Sequence, residues 1–215
     1  MKIKYHVIYL IIFAILSMGV LLYGNGNLLN LILIWNMILA LIPLIAANLV
    51  KKRKGLVVYL SSFLWLIFLP NAFYIVTDFI HLSQRSFYTI QRQMYDIKVQ
   101  YHPKIALWWD LFLILAVFLY GAYCGIKSEH LMEKRLGLEF YSKEIFRIII
   151  GFLCGVGIYI GRFMRLNSWD IFNIGKYIET FQTLGHPPGF VFGFILLFTL
   201  YIYVVLHIPL EKERN

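Results

Sequence analysis

Six near-continuous apolar runs, each bounded by charged or glycine-bearing segments, decide what this chain can fold into. They lie at 5–23, 28–50, 56–76, 105–126, 145–161 and 189–208. Crossing a hydrocarbon layer of about 30 Å takes roughly 20 residues of apolar helix, and these runs approach that length. Lipid offers the backbone no hydrogen-bond partner, so each run must close its own hydrogen bonds as a helix. Barrel strands would instead alternate in polarity over about ten residues. The expected fold is therefore an all-α polytopic membrane helix bundle of about six transmembrane helices, one integral membrane domain over 1–215. Charged residues make up 14% of the chain, against about 25% in an average soluble domain.

The opening MKIKYHVIYLIIFAILSMGVLLYG has the basic start and apolar middle of a secretory signal but no clear small-x-small site, so an uncleaved helix is expected. Cys124 and Cys154 fall inside the fourth and fifth runs and are read as buried free thiols. Lys and Arg near short loops favour the cytoplasm. Counting them on alternate sides gives 13 on the side of both termini and 7 on the other. Both termini are thus expected in the cytoplasm, with the loops after spans three and five facing outward. The net charge of +9 is then a topology signal plus attraction to anionic membrane lipid. The KKRK at 51–54 is explained the same way, and no nucleic-acid partner is expected.

Polar groups gather at the outward ends. LPNAFYIVTDFIHL, Leu69 to Leu82, brings Asn71, Asp78 and His81 to the end of span three. IALWWDLF sets Asp110 at the start of span four, and GIYIGRFMRLNSWD carries Arg162, Arg165, Asn167 and Asp170 out of span five. Charge in or near hydrocarbon is costly and usually faces a partner or a watery cavity. Arg162 and Arg165 are three apart and share a face if the helix continues. The expected arrangement turns the acids of spans three and four towards these arginines around an outward-opening pocket. His81, Asp78 and Asp110 are its acid/base candidates, and Arg162, Arg165, Asn167, Asp170 and Asn71 its ligand-binding candidates. No zinc spacing or nucleophile elbow occurs, so no metal is expected, a metal held by Asp78, His81 and Asp110 being the alternative. The cofactor is unknown.

Other residues have structural readings. Pro70 removes a backbone donor and kinks its span, and Asn71 could satisfy a freed group. Asn167 caps a following helix carrying Ile174, Tyr177, Ile178 and Phe181, with Asp170 in its first turn. The pairs Gly151/Gly155 and Gly157/Gly161 lie on different stripes, so span five can meet two neighbours. Phe87, Ile90, Met94 and Ile97 have the spacing of an amphipathic interfacial helix. His102 and His186 read as turn surface, and Trp108, Trp109 and Trp169 as an interfacial belt.

Through LPNAFYIVTDFIHL, LWWDL and GIYIGRFMRLNSWD the chain resembles a bacterial family of integral membrane proteins catalogued as domain of unknown function 1361. It departs from that pattern with Phe73 where Pro is usual and Leu166 where Trp is usual. The resemblance implies a bacterial cytoplasmic membrane location and a multi-pass helical fold, and it implies no activity.

Three functional readings follow. The first is an enzyme or binding site for an amphipathic ligand with an anionic headgroup. The second is a non-catalytic subunit or scaffold with a membrane-protein partner. The third is a small transporter or ion pathway, although no internal repeat and no mid-membrane charge supports it.

Overall fold

The computed structural model describes residues 3–23, 29–93, 96–166, 168, 170 and 173–210. Its helices are α1 (Ile3–Tyr23), α2 (Leu29–Lys52), α3 (Leu56–Tyr74), α4 (Ile105–Leu136), α5 (Phe140–Tyr159), α6 (Ile174–Leu184) and α7 (Pro188–Leu206). A 3-10 helix, Ile75–Gln84, continues α3, and a π-helical turn, Ile160–Met164, continues α5. Strands β1 (Tyr88–Gln93) and β2 (Asp96–Tyr101) complete the described elements. Five segments are long and apolar enough to cross a membrane: Asn30–Lys52, Leu56–Gln84, Ile105–Leu136, Phe140–Met164 and Pro188–Leu206. In the first expected span, Tyr5–Gly19 is a shorter apolar helix.

Large apolar side chains face outward along these helices, among them Leu56, Phe192, Leu197 and Val204, each more than 60% exposed. In water this surface would oppose folding at about 25 cal/mol per Å² of apolar area. In lipid it costs nothing, which is the physical signature of a membrane-embedded helical protein.

The chain forms two compact units. The first comprises Met1–Met37 and Ile75–Leu119. Leu33, Met37, Ile75, Ile114 and Val117 are fully buried there. Tyr9 donates to the Ala116 carbonyl at 3.2 Å, and the Phe79 and Phe118 rings meet edge to face. The expected interfacial helix around Phe87 to Ile97 is instead an antiparallel hairpin pairing Tyr88 with Tyr101, Ile90 with Val99 and Gln93 with Asp96. Period-two alternation of Tyr88, Ile90 and Arg92 against Ile97, Val99 and Tyr101 won over the weaker helical spacing. Met94 lies outside the described residues. His102 closes the base of the hairpin, with Nδ1 donating to the Ser86 carbonyl at 3.0 Å and Nε2 2.6 Å from the Thr89 hydroxyl. It is a hairpin clamp rather than plain turn surface.

The second unit comprises Ile38–Tyr74 and Tyr120–Asn215. Its helices meet at glycines. A Cβ at Gly155 would come within 2.8 Å of the Ile195 carbonyl oxygen of α7, and one at Gly151 within 3.1 Å of the Thr199 carbonyl. On the other stripe, a Cβ at Gly157 would meet the Pro70 ring of α3 at 2.6 Å, and Gly161 faces Tyr74. The two stripes of span five thus do serve two neighbours. Gly125 of α4 accepts the Phe73 ring, which would stand 2.6 Å from an added Cβ. Cys124 and Cys154 are buried free thiols. The N-cap of α6 is Asn173, whose side chain accepts from the Lys176 amide at 3.2 Å. Asp170 stands before that cap and accepts from Lys176 Nζ at 3.0 Å, while Asn167 lies outside the described residues.

Gly155→Ala should lower unfolding stability in detergent by about 1–3 kcal/mol, since backbone rather than a flexible side chain blocks the methyl group. Gly193→Ala, with nothing within 4 Å of the added atom, should be neutral or stabilise by up to about 1 kcal/mol. Thermal unfolding of the two variants side by side checks the contrast.

Candidate functional site

The acid/base candidates all belong to the first unit and the described ligand-binding candidates all to the second. In the first, Asp78 and His81 lie on the 3-10 helix, where residues three apart stack one turn above another. Asp78 is buried and accepts from Asn36 Nδ2 at 2.7 Å. Asp110 is buried near the start of α4 and pairs with Arg85 at 2.8 Å. His81 is half-buried, and no polar partner falls to it among the described residues. The three do not form a metal-ligand group, because among the described residues the side chains grouped at ligand spacing are others.

In the second unit, Pro70 leaves the α3 backbone short of a donor, and two side chains serve the neighbouring carbonyls. Asn71 Nδ2 donates to the Phe68 carbonyl at 3.2 Å and to Ser168 Oγ at 3.0 Å, and Ser168 Oγ donates to the Ile67 carbonyl at 3.2 Å. Asn71 therefore works inside the fold and ties α3 to the chain beyond α5. The expected shared face of Arg162 and Arg165 does not form. It presumed a continuing 3.6-residue turn, whereas α5 widens into a π turn and ends at Arg165 in the left-handed conformation, φ 53°. Arg162 is half-buried and donates to the Tyr74 hydroxyl at 3.4 Å. Arg165 is exposed and has no ion pair among the described residues. Beside this turn Tyr159, Met164 and Leu166 are buried against Phe163, Phe194 and Ile195. The Tyr159 hydroxyl meets His186 Nδ1 at 2.9 Å, so His186 is part of an aromatic cluster rather than free turn surface.

Sequence reasoning missed a second polar cluster, built by the end of α4, the start of α5 and the end of α7. Arg147 donates from Nε to Glu133 Oε1 at 2.7 Å, from Nη2 to Glu133 Oε2 at 3.2 Å and from Nη1 to Glu144 Oε1 at 3.4 Å. Glu144 also accepts from the Tyr203 hydroxyl at 2.7 Å and lies 3.1 Å from His207 Nε2. Glu129 is fully buried, and neither carboxylate oxygen receives a hydrogen bond among the described residues. Its nearest cation is Arg147 Nε at 3.7 Å. Neighbouring Ser128 is held by Trp65 Nε1 at 3.1 Å, and Trp65 stacks on Phe146 of α5, which fixes the helix turn carrying Glu129. The available signal was the run SEHLMEK, with acids at i and i+4 flanking a histidine. Acids at that spacing on a helix are equally the mark of a solvated face, so the run by itself does not show burial.

These elements define a class, an all-α polytopic membrane protein of at least five apolar helices long enough to cross a bilayer. Within that class the sequence matches the family described as Protein of unknown function (DUF1361) over residues 35–205, and the chain belongs to that family. No curated protein and no solved structure matches it.

Arg147→Ala strands the buried carboxylates without their guanidinium and should cost about 3–5 kcal/mol. Adding Glu129→Gln to that variant removes one stranded charge and should recover part of the loss. Denaturation of both in detergent gives the comparison; a double variant no more stable than Arg147→Ala would show that Arg147 does not balance Glu129.

Proposed function

We propose that the chain is a multi-pass protein of the bacterial cytoplasmic membrane, with both termini in the cytoplasm, that binds an anionic amphipathic ligand at the outward end of α5. One observation carries this reading: Arg165 holds a left-handed backbone and points a charge at no partner among the described residues. A left-handed non-glycine residue costs about 1–2 kcal/mol, and such outliers gather at binding and active sites. The π turn before it is of the kind that frequently marks functional positions. Arginine is suited to phosphate or carboxylate headgroups because its planar fork offers paired donors. Arg162 supports the same ligand from the π turn, while Asn71 holds Ser168 and Asp170 holds Lys176 in the segment that follows.

The exposed hairpin favours a second reading, docking of a membrane-protein partner. β2 is exposed throughout, with Ile97 and Tyr101 each about two-thirds exposed, and paired strands with open edges readily recruit further chains. One stoichiometric partner retained through gentle purification, and lost on deletion of the hairpin, would favour it.

Two experiments test the first reading. Arg165→Gly relieves the backbone while deleting the guanidinium, so it should raise stability by about 1 kcal/mol yet reduce retention of anionic lipid in native mass spectrometry. Undiminished retention in Arg165→Gly and Arg162→Gln together would end the proposal. For orientation, Ser83→Cys and Lys176→Cys should react with an impermeant maleimide added to intact cells, and Lys54→Cys should react only after lysis.

A further inference from the structure

The geometry points to a metal site that the ligand-binding reading does not use: we infer that Glu129, His130 and Glu133 together bind one divalent first-row transition ion. One ligand atom from each of the three lies within 4.8 Å of the others. Around such an ion, with bonds of about 2.0–2.2 Å, ligand atoms stand no more than about 4.4 Å apart. Small side-chain rotations close that gap.

The acids alone would be only a buried cluster, but Glu129 is an orphan within it. Arg147 directs its Nε and Nη2 to Glu133 and its Nη1 to Glu144, and no hydrogen bond reaches either oxygen of Glu129. A buried carboxylate that receives no hydrogen bond, its nearest cation standing 3.7 Å away, is costly for a fold to carry. A cation among the three residues answers the charge and the missing partner together. Glu133 can serve both neighbours, because a carboxylate has about four lone-pair sites and Arg147 occupies two.

The ligand chemistry selects the ion. One imidazole with two carboxylates suits first-row transition ions, whereas magnesium and calcium favour oxygen alone. His130 Nε2 lies 3.8 Å from Glu129 Oε2, so it is a ring nitrogen that faces the acids, and on binding an ion it gives up its 3.3 Å contact with the Leu206 carbonyl. His130 is 30% exposed, which gives an ion a way in. α4 also outruns the bilayer: 32 residues at about 1.5 Å each exceed a hydrocarbon layer of about 30 Å. Trp108 and Trp109 mark its start as interfacial, so its last turns reach water.

The test uses the untagged full chain in detergent, stripped with chelator and titrated with Co²⁺ by calorimetry and visible absorption. Saturation near one equivalent is expected, with a ligand-field band. Glu129→Gln and His130→Gln should each weaken binding by at least about tenfold, and Glu139→Gln, on the exposed turn before α5, should leave it unchanged. Failure of the wild-type protein to bind Co²⁺ stoichiometrically would overturn the inference. Equal affinity in both ligand variants would overturn it as well.

Discussion

Close approach of α5 to its two neighbours governs the second unit. In lipid no hydrophobic force drives one apolar helix against another, so contact must come from packing and from polar groups that reach across. Gly151 and Gly155 bring the backbone of α5 against carbonyl groups of α7, and Gly157 brings it against the ring of Pro70. A side chain at any of these positions would open a gap wider than the contacts it separates. The third contact, Phe73 over Gly125, works in the opposite sense, with a full ring filling what the glycine leaves. Phe73 is fully buried there, which explains why a bulky residue is accommodated at that position.

Packing Pro70 against Gly157 has a backbone consequence. A proline deep in an apolar helix leaves carbonyls without donors, and lipid cannot supply them. Pro70 withholds a donor from the Leu66 carbonyl, and Asn71 and Ser168 add donors to the Phe68 and Ile67 carbonyls beside it, so that the chain after α5 is tied to α3. There α5 does not simply continue. It widens into a π turn, reverses at Arg165 and gives up the regular spacing that would have aligned Arg162 with Arg165. The arginine end thus sits where Ser168 ties the chain to another helix.

Much of the fold was legible because the bilayer leaves a chain few options. Long apolar runs had to be helices, and the two glycine stripes of α5 followed from 100° per residue. The misreadings occurred where several local solutions compete. Phe87 to Ile97 carried both helical and alternating spacing, and the register of Ile90 with Val99 decided for the hairpin. Asn167 and Asn173 both precede α6, and spacing alone could not choose between them; the amide of Lys176 selects Asn173. Of the polar groups, Asp78 and Asp110 were correctly read as needing company, but Asn36 and Arg85 provide it from within the first unit. The partner of a buried charge is a tertiary fact that a single chain of letters does not fix.

The two ends of α5 meet the same difficulty in different ways. At its start, Arg147 and Glu144 enter a partly buried network with Glu133, Tyr203 and His207, in which neither oxygen of Glu129 receives a hydrogen bond among the described residues. At its end, Arg165 stands exposed on a strained backbone. A fold selected only for stability would lose both features, by a glycine at 165 and an apolar residue at 129, at no cost to the glycine contacts that hold the helices together. Local choices that oppose the fold and have no compensating contact are where function is to be sought. By that criterion these two positions, rather than the well-partnered Asp78 and Asp110, are the ones that the stability of the fold does not account for.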